Sequence, residues 1–295
     1  MAKLDVSSLV KKVRTKLKHY TGKWRPKDFM KVPPDLARVL GNGESIPYGV
    51  MMEVSGEESQ GKTLLGLVLM SIAQAEGAYC VWVDAENSFD KSWARTHGVD
   101  PTKVAIIRPY IGSFGSKNAK KKRMTSAQEL CGEAEAVCEA IFENDPDCKI
   151  FMVVDSLTAL LPKEELEAGI ENQNMRTKMS LASFLGLLLR RWVGLCPSFN
   201  MTIMLINQLR VNPMQLFGDP SYEPGGKAAK FYCHVRARVR RGKKSGQVFG
   251  KDEKQIGVRG GIHNRKNKLG LEKQVCGYKF YFKGKYIFAE DADSV

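Results

Sequence analysis

The chain has 295 residues, 43% hydrophobic and 26% charged, an ordinary globular composition with length enough to bury a large core. No apolar run approaches the roughly 20 residues of a spanning helix, and the basic stretch from Met1 to Lys18 lacks the apolar centre of a secretion signal, which argues against membrane and secreted classes. Forty-six Lys and Arg against 32 Asp and Glu leave a formal charge of +14, an excess that points to a polyanionic partner, nucleic acid before membrane.

Residues 1–33 read as a separate arm. Leu4, Val10, Val13 and Leu17 line one face of a short helix, with the cations mostly elsewhere. Gly22 and the pair Pro33-Pro34 then break the chain. An arm too short for its own core must pack on its domain or on a neighbouring subunit, which makes it a candidate oligomerisation arm. Residues 34–288 form the main body, and 289–295 are an acidic tail.

From about residue 46, strands and helices alternate. Val50 to Ser55 is a predicted strand, Lys62 to Glu76 a helix, Tyr79 to Asp84 and Val104 to Arg108 strands. Ser126 to Glu143 is helical, Lys149 to Asp155 a strand, Lys178 to Gly194 a long helix and Met201 to Asn207 a strand. Such alternation implies an α/β fold with a mostly parallel sheet covered on both faces. Val235 to Arg241, Gln255 to His263 and Val275 to Phe282 follow as successive, antiparallel strands. Two long loops interrupt the pattern. One, Gly112 to Thr125, carries five cations between Lys117 and Arg123; the other, Val211 to Gly226, is rich in Pro and Gly. Loops of this length are usually functional or disordered. Seven cysteines without a C-x-x-C pair argue against a disulfide framework and a zinc site, and for reduced thiols in the cytoplasm.

Gly56-Glu57-Glu58-Ser59-Gln60-Gly61-Lys62-Thr63 fits the P-loop pattern in full, after a strand and at the start of a helix. Its glycines let backbone N–H groups face a phosphate, and the helix N-terminus adds partial positive charge. Lys62 can reach the β- and γ-phosphates, and the Thr63 hydroxyl can meet Mg2+. Asp155, ending the apolar strand from Ile150 to Val154, is the expected second magnesium anchor. Glu86, two residues past another strand end, can activate a water; Asp84 competes for that role on local grounds.

With these motifs in place, the chain resembles the RecA family of DNA recombinases. Val83-Asp84-Ala85-Glu86, Val153-Val154-Asp155-Ser156, Ile206-Asn207-Gln208-Leu209-Arg210 and Phe217-Gly218-Asp219-Pro220 match, in order. So do the run Gly225 to Tyr232 and Lys266-Asn267-Lys268. The resemblance covers about residues 35 to 285. It implies a P-loop NTPase of RecA type that uses ATP and Mg2+, forms a helical homo-oligomeric filament on single-stranded DNA and exchanges strands with homologous duplex. A single-strand-binding protein or mediator is an implied further partner. Glu86 matches the water-activating glutamate, and Gln208 the sensor of the γ-phosphate. Trp93 falls where the family stacks an aromatic ring on adenine, although on its residues alone it reads as a helix-face core position. Lys266 and Lys268 match lysines that reach a neighbour's ATP; charge alone would leave them solvated. The DNA-binding surface implied is Arg176 and Lys178 in a first loop, where the match is poor, then Arg210, Met214, Leu216, Phe217, Gly225 and Gly226. Arg210 suits a DNA phosphate, and the apolar side chains suit wedging between bases.

Two departures stand out. The basic loop from Lys117 to Arg123 is an insertion relative to the family. The family's C-terminal DNA-gathering domain has no expected counterpart after Phe288, as in a compact bacteriophage-encoded member. The alternatives are a recombination mediator or paralogue that binds ATP without exchanging strands, and a helicase of related fold. Glu86, Gln208, Lys266 and Lys268 favour the recombinase, and no guanine-reading Asn-Lys-x-Asp motif is present.

Overall fold

Strands with apolar side chains on both faces need cover on both sides, and that requirement organises this chain. The computed structural model describes residues 25–111, 123–169, 171–172, 174–211, 214, 221–241 and 246–289. Ten strands form one sheet: β1 Met51–Gly56, β2 Tyr79–Asp84, β3 Val104–Ile107, β4 Ile150–Asp155, β5 Met201–Gln208, β6 Val235–Arg241, β7 Gln247–Phe249, β8 Gln255–Asn267, β9 Val275–Tyr281 and β10 Tyr286–Ala289. Their order is β10-β9-β8-β6-β1-β5-β4-β2-β3, with β7 beside β8. From β6 to β3 every pairing is parallel. The C-terminal extension pairs antiparallel throughout.

The helices are α1 Pro34–Leu40, α2 Lys62–Ala75, α3 Lys91–Thr96, α4 Ala127–Asn144, α5 Lys163–Ala168, α6 Met175–Lys178, α7 Ser180–Ser198 and α8 Ala228–Tyr232. The period-2 pleat divides each strand between two cores. Met52, Val54, Trp82, Phe151 and Val153 pack with Leu36 and Val39 of α1 and Leu64 and Val68 of α2. Met51, Val81, Val83, Met152 and Val154 face the other way, onto Leu130 of α4, Leu189 and Trp192 of α7 and Ala229 of α8. Each large side chain so buried stabilises by about 1.5–3 kcal/mol. A capping box of Ser126 and Glu129 starts α4. All seven cysteines are free and buried in these cores. Among the described residues no helix is long and apolar enough to cross a membrane.

Some local expectations shift. Pro34 opens α1 rather than breaking the chain; it occupies the first helical turn, where a missing N–H costs nothing. Phe29–Met30 pairs antiparallel with Ile46–Pro47, and Met30 is fully buried, so the last residues of the expected arm pack into the main body. The long helix runs past Gly194 to Ser198, with Pro197 in its final turn. Residues 1–24, the basic stretch 112–122 and the tail from 290 lie outside the described residues. Around the basic stretch, Tyr110–Ile111 pairs antiparallel with Arg123–Met124.

The extension also buttresses the phosphate loop. Tyr278 of β9, 0% exposed, donates its hydroxyl to the Gln60 carbonyl at 2.7 Å. Tyr278→Phe is expected to lower unfolding stability by about 0.5–1.5 kcal/mol, the worth of one such bond, in a urea titration. An unchanged midpoint would mean that this hydroxyl carries no stability.

Candidate functional site

The loop between β1 and α2 holds the P-loop residues. Gly61 has φ +91°, a left-handed conformation that turns the chain into the helix, and a Cβ there would lie 3.2 Å from the Phe280 ring. No side chain caps α2 and no acid occupies its first turn, so its first N–H groups are directed at whatever the loop encloses. Glu57, Glu58 and Ser59 form the exposed rim, while Gln60 and Lys62 are buried. The Lys62 ammonium donates to the Glu57 carbonyl at 2.6 Å. Burial pulls its pKa down; Asp155, Glu86, Glu58 and Glu57 act against that.

Thr63 Oγ1 donates to Asp155 Oδ2 at 2.8 Å. Burial pushes the Asp155 carboxyl up to about 6, against the Thr63 hydrogen bond. A buried carboxylate beside a hydroxyl, raised because charge is disfavoured there, is a setting that a divalent cation would stabilise in its ionised form. The residues fit Mg2+. Bound there, the metal would neutralise phosphate charge, held by Thr63 and Asp155.

Glu86 and Asp84 have separate roles. Asp84, fully buried, accepts from the backbone of Ser88 at 2.8 Å and Phe89 at 3.1 Å, and from Arg108 Nε at 2.8 Å. It is an anchor for the turn that carries Glu86. Glu86 is exposed at the mouth of the site. Its Oε1 accepts from Ser156 Oγ and from Gln208 Nε2 at 2.7 Å, and its N–H donates to the Asp155 carbonyl. The structure thus joins Glu86, Asp155 and Gln208, which lie far apart in sequence, at the ends of β2, β4 and β5.

A cavity of about 400 Å3 opens over Ser59 to Leu64, with Arg241, Gln255, Val258 and Phe282 on its other side. Arg241 donates to the Ser59 carbonyl at 2.9 Å. Trp93 is half-buried on α3; its ring lies 4.5 Å from His97, edge-on, and 6.2 Å from Phe282. It therefore backs the ring that lines the cavity. Arg241, Phe282 and Arg108 escaped sequence reasoning, because each reaches the site through the sheet or a turn rather than through a local motif.

Beyond Gln208, Arg210–Val211 pairs antiparallel with Ser221–Tyr222. Arg210 is exposed and Met214 is 89% exposed. Leu216 and Phe217 lie outside the described residues, as do the side chains of Arg176 and Lys178. Gly225 and Gly226 press on α7: a Cβ on Gly225 would lie 2.5 Å from Leu185. Lys268 is exposed. The Lys266 ammonium donates to the carbonyls of Lys230, Phe231 and Cys233 at the end of α8, where a helix C-terminus favours a cation.

A family model described as the RecA N-terminal domain matches residues 34–284. The protein is similar to Protein RecA of Rhodopirellula baltica, 33% identical over 250 residues, 84% of this chain and 59% of that protein. It is 32% identical to Protein RecA of Thermus aquaticus over 84% of this chain and 64% of the relative. To Protein RecA of Mycoplasma pneumoniae it is 30% identical, over 87% of this chain and 68% of the relative. The chain thus spans between 59% and 68% of the length of these relatives.

Proposed function

Because this chain belongs to the RecA family, we propose that it is an ATP-dependent DNA recombinase, assembling on single-stranded DNA and pairing it with homologous duplex. The observation that carries this reading is the hydrogen bond from Gln208 to Glu86. It ties the base that would act on water to the strand that leads to the exposed Arg210. A ligand held there has a direct route to the hydrolytic group.

In this reading the P-loop amides and Lys62 hold the triphosphate, and Thr63 and Asp155 hold Mg2+. Glu86 accepts the proton of the attacking water, and Gln208 orients its carboxylate. Arg210 and Met214 meet DNA, together with Leu216 and Phe217 of the same loop and Arg176 and Lys178, which lie on the short helix α6 rather than in the expected loop. Of the expected arm, residues 1–33, the part before Phe29 serves contact between subunits, while Met30 packs into the main body. ATP turnover measured with and without single-stranded DNA tests the reading: strong stimulation is expected, and a DNA-independent rate would contradict it.

Lys266 and Lys268 act in trans. Lys266 stands opposite Arg236 of β6, which stands beside Glu53 of β1. That register is three residues short of Gly56, about 10 Å at 3.3 Å per residue, so the lysine's own phosphate loop lies beyond its reach. Mixing Lys266→Ala/Lys268→Ala subunits into wild type is expected to lower ATP turnover more than dilution alone. Strictly proportional loss would show that these lysines serve only their own subunit, or have no part in turnover.

A further inference from the structure

Four charged side chains cluster beside the strand pair Arg210–Val211 with Ser221–Tyr222, and no step above uses them. Glu53, fully buried on β1, lies three residues before Gly56. Arg236 donates to its carboxylate and stands 3.4 Å from Glu223 Oε2. Arg238, 3% exposed, donates to Glu223 Oε1 and to Ser221 Oγ, both at 3.0 Å. Ser55 Oγ donates to the same Glu223 oxygen at 3.2 Å. Asn207 donates its amide to Glu53 at 2.9 Å and to the Pro224 carbonyl at 3.3 Å.

Stability alone is a poor reason for such a cluster. Three ion pairs among buried and half-buried side chains carry a desolvation cost, and well-packed apolar residues often hold a fold as well. What charged, forked side chains add is fixed orientation. Here the cluster touches three segments at once: β1 as it enters the P-loop, Asn207 immediately before Gln208, and Ser221 to Pro224 at the far end of the loop. The strand pair Arg210–Val211 with Ser221–Tyr222 closes the loop just above it.

We propose that Glu223 and Arg238, supported by Arg236, Glu53 and Asn207, are positioning residues that lock the stem of the DNA-binding loop to the phosphate-loop strand, so that DNA held by the loop sets Gln208 against Glu86. The proposal rests on the recombinase reading. Spatial continuity alone does not establish coupling between two sites, so the test must read coupling itself.

The variants are Glu223→Gln and the charge-balanced Glu223→Gln/Arg238→Met, in the full chain. The single change leaves two guanidiniums facing one carboxylate and is expected to lower Tm. The double change removes one charge of each sign and is expected to recover most of that loss. ATP turnover without DNA should stay within about twofold of wild type for the double variant. Its stimulation by poly(dT) should fall by about 5- to 150-fold, the usual range of coupling between sites, with the loss in kcat rather than in the DNA concentration for half-stimulation. A double variant stimulated like wild type overturns the clamp and leaves the recombinase reading intact. Wild type without stimulation overturns that reading first. A measurement on wild type needs no substitution: with poly(dT) and a slowly hydrolysed ATP analogue, amide exchange should slow together at 221–223 and 236–238. Slowing confined to one of the two segments overturns the proposal.

Discussion

Lys62→Ala is expected to abolish ATP-dependent filament extension. The lysine is buried within the phosphate loop, and the carboxylates of Asp155, Glu86, Glu58 and Glu57 all bear on it. Losing the ammonium removes the direct cation from the triphosphate and leaves those acids facing it without a counter-charge. A charge-assisted partner of this kind is worth about 1.5–3 kcal/mol, or roughly 10- to 150-fold in affinity, before the added repulsion. Nucleotide titration of the purified variant measures the first effect, and sedimentation on single-stranded DNA with ATP the second. Wild-type affinity together with wild-type assembly would remove Lys62 from the phosphate site.

Glu86→Gln separates chemistry from binding. The glutamine keeps an oxygen that can accept from Gln208 and Ser156, so the local hydrogen bonds survive while the basic carboxylate is lost. Hydrolysis is expected to fall by about 100-fold or more, the usual worth of a general base, with ATP and DNA binding retained. Filaments should then persist longer, since turnover no longer releases them. Steady-state ATPase and a dissociation chase report the two effects. Hydrolysis near the wild-type rate would show that another group activates the water; Asp84 is a poor successor, because the backbone of Ser88 and Phe89 and the side chain of Arg108 already occupy both its oxygens.

The phosphate site was legible in the sequence because its chemistry is local: eight consecutive residues between a strand and a helix carry it. The parallel sheet was legible because runs such as Ile150 to Val154 bury both faces. Choosing Glu86 over Asp84 was not possible on local grounds. Asp84 ends β2 and Glu86 lies two residues beyond it, and the turn geometry shows Asp84 consumed by Ser88, Phe89 and Arg108. Arg241 and Phe282 read only as the last residues of late strands; the folded sheet brings them to the loop at Ser59. The cluster around Glu223 left no local trace, since Glu53 and Arg236 are 183 positions apart. Helix α1 was hidden by its proline pair, and the end of α7 by Gly194 and Pro197, because both residue types can end a helix or be tolerated within its terminal turns.

Strand exchange between a circular single strand and a homologous linear duplex, run with ATP and Mg2+, tests the central claim most directly, because a mediator that binds ATP and DNA would fail it. The account expects joint molecules that depend on ATP, on homology and on Lys62. Assembly on single-stranded DNA with robust ATP turnover but without joint molecules would contradict it.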